Sequence, residues 1–272
     1  CLYEKAVQAN KVKNFFSNTL IITEFKESPL FRIAKENNCL LLEHQKNIGG
    51  RYSIFTNVGL VPAIISGLNV YELLSGASEV INNIETYRPN DLGRYLTHEK
   101  NIHFTNNVLM TYSDSLFFFG KWYLQLWAES IGKDNKGITA IHSVGTTDQH
   151  SQLQLYLEGP RDKYFTFITT DHSNKGIKIN DQLFRNTNID YFKNKTMGDL
   201  MQAEQRATLE TFKQNNFNFR EIHIPIIDEK NLGKLLSFSI METIASCTYL
   251  NVDPFDQPAV EQGKILTKSY LR

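Results

Sequence analysis

The stretch VLMTYSDSLFFFGKWYLQLWAESIGKDNKGITAIHSV, residues 108–144, decides the fold class of this chain. It opens with an apolar run of strand length, Val108–Tyr112. The polar pair Ser113-Asp114 then offers an N-cap for a helix predicted over Ser115–Ile131, where apolar residues recur at helical spacing. A second apolar run, Ile138–Val144, predicts another strand. A strand, a helix and a strand in this order favour two parallel strands joined by a crossover helix.

The same alternation continues downstream. Two more strands are predicted at Tyr164–Thr169 and Arg220–Ile227, and two more helices at Thr147–Leu157 and Met197–Asn215. Thr196 and Asp199 fit a capping box for the second of these helices. This order of elements indicates a doubly wound α/β domain with a parallel sheet.

Two helices are predicted to complete the C-terminal part. Asp228 caps the first, from Leu232 to about Ala245, and its apolar side chains should pack on the sheet. Those side chains are Leu235, Leu236, Phe238 and Met241. The second helix is predicted to start at Asp253-Pro254 and to reach about Ser269.

The N-terminal residues predict a separate and smaller unit. Strands at Thr19–Phe25 and Cys39–His44 flank a helix that Ser28-Pro29 can start. Two consecutive helices are predicted from Gly59 to Gly76 and beyond. Two strands alone do not make a stable sheet, and the chain opens on Cys1 within a predicted helix, so we expect further sequence upstream.

Composition narrows the class of protein. Lys and Arg together number 29, as do Asp and Glu, so no basic face predicts binding to nucleic acid. No apolar run approaches the ~20 residues that cross a bilayer, and no signal peptide is visible. Three widely spaced cysteines argue against a disulfide framework or a zinc site and favour a cytoplasmic protein.

Two residues of the central helix are candidates for chemistry. Gln125 and Glu129 are four positions apart and so share one helical face, near the edge of the apolar stripe. His150 follows at the start of the next predicted helix. A carboxylate and an imidazole near one substrate could move protons on and off carbon and oxygen at neutral pH. Alone, this pair is better explained as a solvated glutamate on an amphipathic helix.

Two further motifs change that balance. NIGGRYS, residues 47–53, places Arg51 directly after two glycines, and NVDPFDQ, residues 251–257, runs on to the segment EQGK, residues 261–264. Together with residues 122–160, these motifs closely resemble the phosphoglucose isomerase (glucose-6-phosphate isomerase) family. The resemblance runs from about Leu20 to the C-terminus, with the motifs in the family's order.

The resemblance implies a fold: two three-layer α/β/α sugar-isomerase domains with parallel sheets, the first incomplete here, and a C-terminal helical tail that embraces a partner subunit. Residues 1–75 would be the end of the first domain and its exit helix. Residues 76–248 would be the second domain, and residues 249–272 the tail. The family's Ser/Thr-rich phosphate loop has no match before Thr19. We therefore expect the isolated 272-residue chain to be poorly soluble and essentially inactive.

The resemblance also implies roles for six residues in converting glucose 6-phosphate to fructose 6-phosphate without a cofactor or metal. In the family's pattern, the histidine serves the neighbouring subunit's active site, which implies a homodimer with shared sites. The residues and roles are Glu129 as the base that moves the proton between C1 and C2, His150 in ring opening, Arg51 in stabilising the enediolate, Lys264 at the ring oxygen, Gln257 at the phosphate end, and Gln125 in substrate binding.

Simpler roles for these residues stay open. Glu129 could merely pair with Lys133, and Lys264 with Glu261, as exposed ion pairs worth about 0.3–0.5 kcal/mol. A non-catalytic phosphosugar-binding module is the alternative function, although such a sensor needs none of Glu129, Arg51 and Lys264. A metal-dependent isomerase would need a cluster of ligands that the scattered histidines do not provide.

Overall fold

A computed structural model describes residues 2–9, 15–180 and 189–272. The chain divides into two compact units, Cys1–Leu74 and Ser75–Arg272. Because residues 10–14 lie outside the described part, the lack of a phosphate loop before Thr19 remains a prediction from the sequence.

The first unit contains the predicted strand–helix–strand motif. Its elements are α1 (Leu2–Gln8), β1 (Leu20–Thr23), α2 (Pro29–Glu36), β2 (Leu40–Glu43), α3 (Asn57–Ile65) and the first turn of α4 (Val70–Asn82). The two strands pair in parallel, with Leu20 opposite Leu40. Ser28 caps α2 by accepting a hydrogen bond from the Phe31 amide at 3.2 Å. The crossover predicted from the sequence is therefore confirmed.

The second unit is built on a four-stranded, wholly parallel sheet. Its strands are β3 (Asn106–Thr111), β4 (Thr139–Val144), β5 (Lys163–Thr169) and β6 (Phe219–His223), in the spatial order β4-β3-β5-β6. All four were predicted. The last ends at His223 rather than Ile227, because its partner strand β5 ends at Thr169, which lies opposite His223.

The helices of the second unit complete three layers. They are α5 (Ile84–Tyr87), α6 (Asp91–Leu96), α7 (Phe117–Ile131), α8 (Thr147–Glu158), α9 (Met197–Gln214), α10 (Glu229–Leu250) and α11 (Glu261–Tyr270). Met110 and Phe167 face a cluster that holds Tyr156 of α8 and Phe212 of α9. Because side chains alternate along a strand, Asn107 points to the opposite face, where its amide donates to Tyr123 of α7 at 3.0 Å.

The two C-terminal helices differ from their predictions. Asp228 caps α10 as expected, accepting from the Asn231 amide at 2.8 Å, but the helix runs to Leu250. The terminal helix begins at Glu261, after a short 3-10 helix at Pro258–Val260, so the predicted start at Asp253-Pro254 was wrong. The Asp253 carboxylate accepts from the Phe255 amide at 2.8 Å, closing a local turn that competes with a helix there.

Taken over the described residues, none of the helices is long and apolar enough to span a membrane.

Candidate functional site

Helix α7 carries Gln125 and Glu129 at the margin of its buried face. Leu126 and Trp127 are fully buried, whereas Gln125 is exposed and Glu129 is half-buried. The Gln125 amide donates to Oε1 of Glu129 at 3.1 Å. The predicted placement of both residues at the edge of the apolar stripe is confirmed, and the amide holds one oxygen of the carboxylate.

Lys133 joins the end of α7 to the chain that follows α10. Its ammonium group donates to the backbone carbonyls of Glu129 at 3.1 Å, of Ser130 at 2.7 Å and of Asp253. It also lies 3.3 Å from a carboxylate oxygen of Asp256. Only 11% of the Lys133 side chain is exposed. The lysine therefore connects two segments that are far apart in sequence.

These contacts border a cleft of about 670 Å³. Glu129 of α7 and Gln257 of the C-terminal segment both line this cleft. The charged side chains of the lining are the carboxylates of Glu129, Asp134, Asp253 and Asp256 and the ammonium groups of Lys133 and Lys136. The formal charge of its lining is thus net negative.

Gln257 and Lys264 do not share a helical face. Gln257 has a non-helical backbone, with φ of −154° and ψ of 69°, and precedes the 3-10 helix, so it lies outside the terminal helix that was predicted to start at Asp253-Pro254. Lys264 lies on α11 and forms an ion pair with Glu261 at 2.6 Å, in which both side chains are 60% exposed. Lys264 is not among the described residues that line the cleft. Lys264 thus forms the ion pair with Glu261 that the sequence analysis gave as the simpler role of this lysine.

Arg51 lies in the first unit and is buried there. It belongs to a short 3-10 helix, Gly50–Phe55, and is 2% exposed. Its guanidinium lies over the ring of Tyr52, 5.1 Å from the centroid. Burying a charged guanidinium is unfavourable unless neighbouring groups compensate its charge. The surroundings of Arg51 must therefore stabilise it.

His150 lies at the other end of the sheet from Glu129. The indole of Trp127, near the end of α7, donates to the carbonyl of Ile138, directly before β4, at 3.0 Å. Past the far end of β4, Asp148 accepts from the Val144 amide at 2.7 Å, and His150 is exposed in the first turn of α8. Strand β4 has six residues, so its two ends are separated by roughly 17 Å. Within one chain, the structure does not bring Glu129 and His150 together.

Sequence reasoning treated Lys133 only as a surface partner of Glu129 and missed its contacts with Asp253 and Asp256. One signal was available, because a lysine directly after a helix-ending glycine often binds the last carbonyls of that helix. No sequence pattern indicated that Lys133 would also contact Asp253 and Asp256. Within residues 2–9, 15–180 and 189–272, no group of three or more His, Cys, Asp or Glu residues is placed to hold a metal ion.

Comparison with known proteins bears on the identity of this site. The sequence model of the family described as phosphoglucose isomerase matches residues 3–272. The glucose-6-phosphate isomerase of Rubrobacter xylanophilus is 34% identical over 256 residues, covering 92% of this chain and 59% of that protein. The glucose-6-phosphate isomerase of Campylobacter jejuni is 35% identical over 234 residues, covering 83% of this chain and 56% of that protein. The chain thus spans less than two thirds of the length of these relatives.

Solved structures share the fold. A hypothetical protein from Thermus thermophilus superposes with a TM-score of 0.85 at 28% identity, over 99% of this chain and 68% of that one. A glucose-6-phosphate isomerase from Chlamydia trachomatis superposes with a TM-score of 0.77 over 99% of this chain and 55% of that one. At 19% identity, this second likeness concerns the fold alone.

Proposed function

The chain belongs to the phosphoglucose isomerase family, and from that premise we propose that the protein interconverts glucose 6-phosphate and fructose 6-phosphate. The observation that carries the proposal is the cleft shared by Glu129 and Gln257. Two residues that the motifs single out, from distant parts of the chain, border the same space.

In the proposed reaction, Glu129 takes the proton from C2 of the open-chain aldose. The electron pair of that C–H bond forms the C1–C2 double bond, and negative charge collects on the oxygen of C1. Glu129 then returns the proton to C1, while the hydroxyl proton at C2 moves to the oxygen of C1, leaving the ketose. Every atom and electron stays within the substrate and the carboxyl group, so the scheme calls for no redox partner.

The other roles are those that the family resemblance implies. Arg51 is assigned to stabilising the enediolate, since a guanidinium makes strong hydrogen bonds to a developing oxyanion. Gln125 supports Glu129 by holding Oε1 at 3.1 Å. Gln257, whose uncharged amide lines the same cleft as Glu129, is assigned to the phosphate end of the sugar. His150 and Lys264 are assigned to opening the sugar ring.

The proposal includes a homodimer in the cytoplasm. It is supported by the exposure of the last helix, where Ile265 is 66% exposed and Tyr270 is 82% exposed. Apolar side chains on a helix that packs against little of its own chain favour contact with a second copy. The separation of Glu129 from His150 favours the same arrangement, because a second subunit can supply the histidine that the first cannot.

A Glu129→Gln variant tests the proposal. The substitution keeps the size of the side chain and removes the base, so we expect turnover of fructose 6-phosphate by the intact protein to fall ~10²–10⁴-fold while sugar-phosphate binding persists. Exchange of the C2 proton with solvent, followed by NMR, should fall in parallel. Near-normal turnover in this variant would remove Glu129 from the mechanism. Sugar-phosphate binding without any turnover in the unmodified protein would instead favour the binding-module alternative.

A further inference from the structure

We propose that Lys133 is a positioning residue that clasps the C-terminal segment 253–257 onto the end of α7 and so holds Gln257 in the cleft that Glu129 also lines. This inference rests on the proposed function, since it assigns Gln257 and Glu129 to one substrate. It concerns a residue with no role in the proton transfers themselves.

The geometry of the ammonium group supports positioning over catalysis. A lysine ammonium has three N–H donors. Four oxygens surround this one: the carbonyls of Glu129, Ser130 and Asp253, and the carboxylate of Asp256. Every donor is therefore engaged by the protein, and none is left for a substrate atom. The group acts on the chain around it.

The two sides of the clasp have different chemistry. On the side of α7, Lys133 satisfies carbonyls of the last helical turn, where the helix dipole also favours a cation. On the tail side, it meets one carbonyl and one carboxylate within a four-residue stretch. Asp256 is directly followed by Gln257. A contact that fixes Asp256 thus limits where the amide of Gln257 can lie.

A second lysine fixes the start of the same segment. The ammonium of Lys136 donates to the carbonyl of Leu250, the last residue of α10, at 3.0 Å. The chain between Leu250 and Asp256 is therefore anchored at both ends to the residues that follow α7. Without the Lys133 anchor, the far end, which carries Gln257, would be released while the near end stayed in place.

The first measurement follows the segment itself. Hydrogen–deuterium exchange across residues 253–260 should be faster in Lys133→Met than in the unmodified protein. Lys121→Met serves as the matched control, because Lys121 is an exposed lysine of α7, the helix that Lys133 follows, and its ammonium lies over the ring of Phe117 at 5.3 Å. Exchange in the control should equal that of the unmodified protein. Unchanged exchange in Lys133→Met would overturn the proposal.

The second measurement asks whether Lys133 acts through Gln257. We expect Lys133→Met to lower kcat/KM by roughly 10- to 100-fold, since a displacement of about 1 Å can have that effect. In a Gln257→Ala background, the same substitution should lower kcat/KM less than about twofold, because the group it positions is already gone. Losses that multiply in the double variant would overturn the proposal.

The two measurements distinguish a failure of this inference from a failure of the proposed function. If the unmodified protein showed no isomerase activity, the proposed function would fail, and exchange of residues 253–260 would still decide whether Lys133 holds the segment. If Lys133→Met does not fold, as judged by circular dichroism, Asp256→Ala breaks the same ion pair from its 54% exposed side. Residues 253–260 should then exchange faster in Asp256→Ala. Unchanged exchange in that variant would overturn the proposal.

Discussion

Glu129 and His150 lie beyond opposite ends of strand β4, Glu129 near the start of the strand and His150 past its end. The strand alone separates them by roughly 17 Å, which is several times the reach of a hydrogen bond. If both act on one sugar, they cannot come from the same copy of the chain. The parallel sheet itself therefore favours an active site completed by a second subunit.

Subunit mixing tests this arrangement. His150→Ala and Glu129→Gln proteins should each be inactive alone, because each kind of homodimer lacks one residue in both sites. Mixed dimers combine one intact site with one site that lacks both residues, so activity should reappear after subunit exchange. Isomerase assays before and after mixing measure this. If mixing restores nothing although mass spectrometry proves exchange, the shared-site arrangement is wrong.

Arg220 forms a buried ion pair with Glu242, so replacing Arg220 should lower the free energy of unfolding considerably. Its guanidinium donates to both carboxylate oxygens of Glu242, one of them at 2.8 Å, and to the hydroxyl of Thr166 at 3.0 Å. Glu242 is 1% exposed. Burial opposes the charge on Arg220, but the Glu242 carboxylate outweighs it, and the pKa of Arg220 rises above its ordinary value.

Arg220→Met should therefore lower the free energy of unfolding by about 3–5 kcal/mol, because it leaves the carboxylate buried without its partner. Replacing Glu242 by Met as well should recover much of the loss, since two apolar groups then pack where the ion pair was. Urea denaturation of the three proteins measures both changes. A double variant no more stable than Arg220→Met would contradict this account.

Helix α7 approaches strand β4 so closely that Gly120 has no room for a side chain. A Cβ atom there would overlap the imidazole ring of His142, which is held by a contact of 3.1 Å with the hydroxyl of Thr111. Helix propensity alone would favour alanine by about 1 kcal/mol. We expect the clash to prevail, so that Gly120→Ala lowers the free energy of unfolding by roughly 1–3 kcal/mol.

Gly263→Ala is the matched control for Gly120→Ala, because it is also a helical glycine but has open space around its Cβ position. This variant should be as stable as the unmodified protein or slightly more so. Thermal unfolding followed by circular dichroism compares the two. Equal effects at both positions would mean that the approach of α7 to β4 does not limit the side chain.

The acid dependence of stability should contain a contribution from Glu79. A hydrogen bond from Lys234 at 2.6 Å, followed by one from Tyr87 at 2.8 Å, lowers the pKa of Glu79 from 4.5 to about 2. Because the pKa is lower in the folded state, ionised Glu79 stabilises the folded protein fully above pH 4.5. This contribution is lost as the pH falls towards 2. In Glu79→Gln, the free energy of unfolding should depend less steeply on pH in that window.

Urea denaturation at several pH values between about 2 and 5 measures this slope. Glu85→Gln is a suitable control, because Glu85 is an exposed carboxylate of α5. Slopes that stay identical in the unmodified protein and in Glu79→Gln would show that the contacts with Lys234 and Tyr87 do not hold the carboxylate in solution.

Much of the fold was predictable because the deciding interactions are local. The apolar run at Val108 and the N-cap at Ser28 each depend on neighbours within one or two turns, and both elements were found within two residues of their predicted bounds. The start of the last helix was not predictable in this way. Asp253 and Pro254 form an acceptable helix start, but a turn at Asp253 and the contact of its carbonyl with Lys133 compete with a helix there, and the α-helix begins only at Glu261.

The sequence by itself determined the parallel α/β class, the helix that presents Gln125 and Glu129, and the motifs that carry the family resemblance, because each is written in consecutive residues. Only the tertiary structure decided that Glu129 and Gln257 line one cleft, that Lys133 contacts both of their segments and that Arg220 pairs with Glu242. These pairings join residues from different elements. Their distances depend on how helices pack on the sheet, and no spacing along one chain encodes that packing directly.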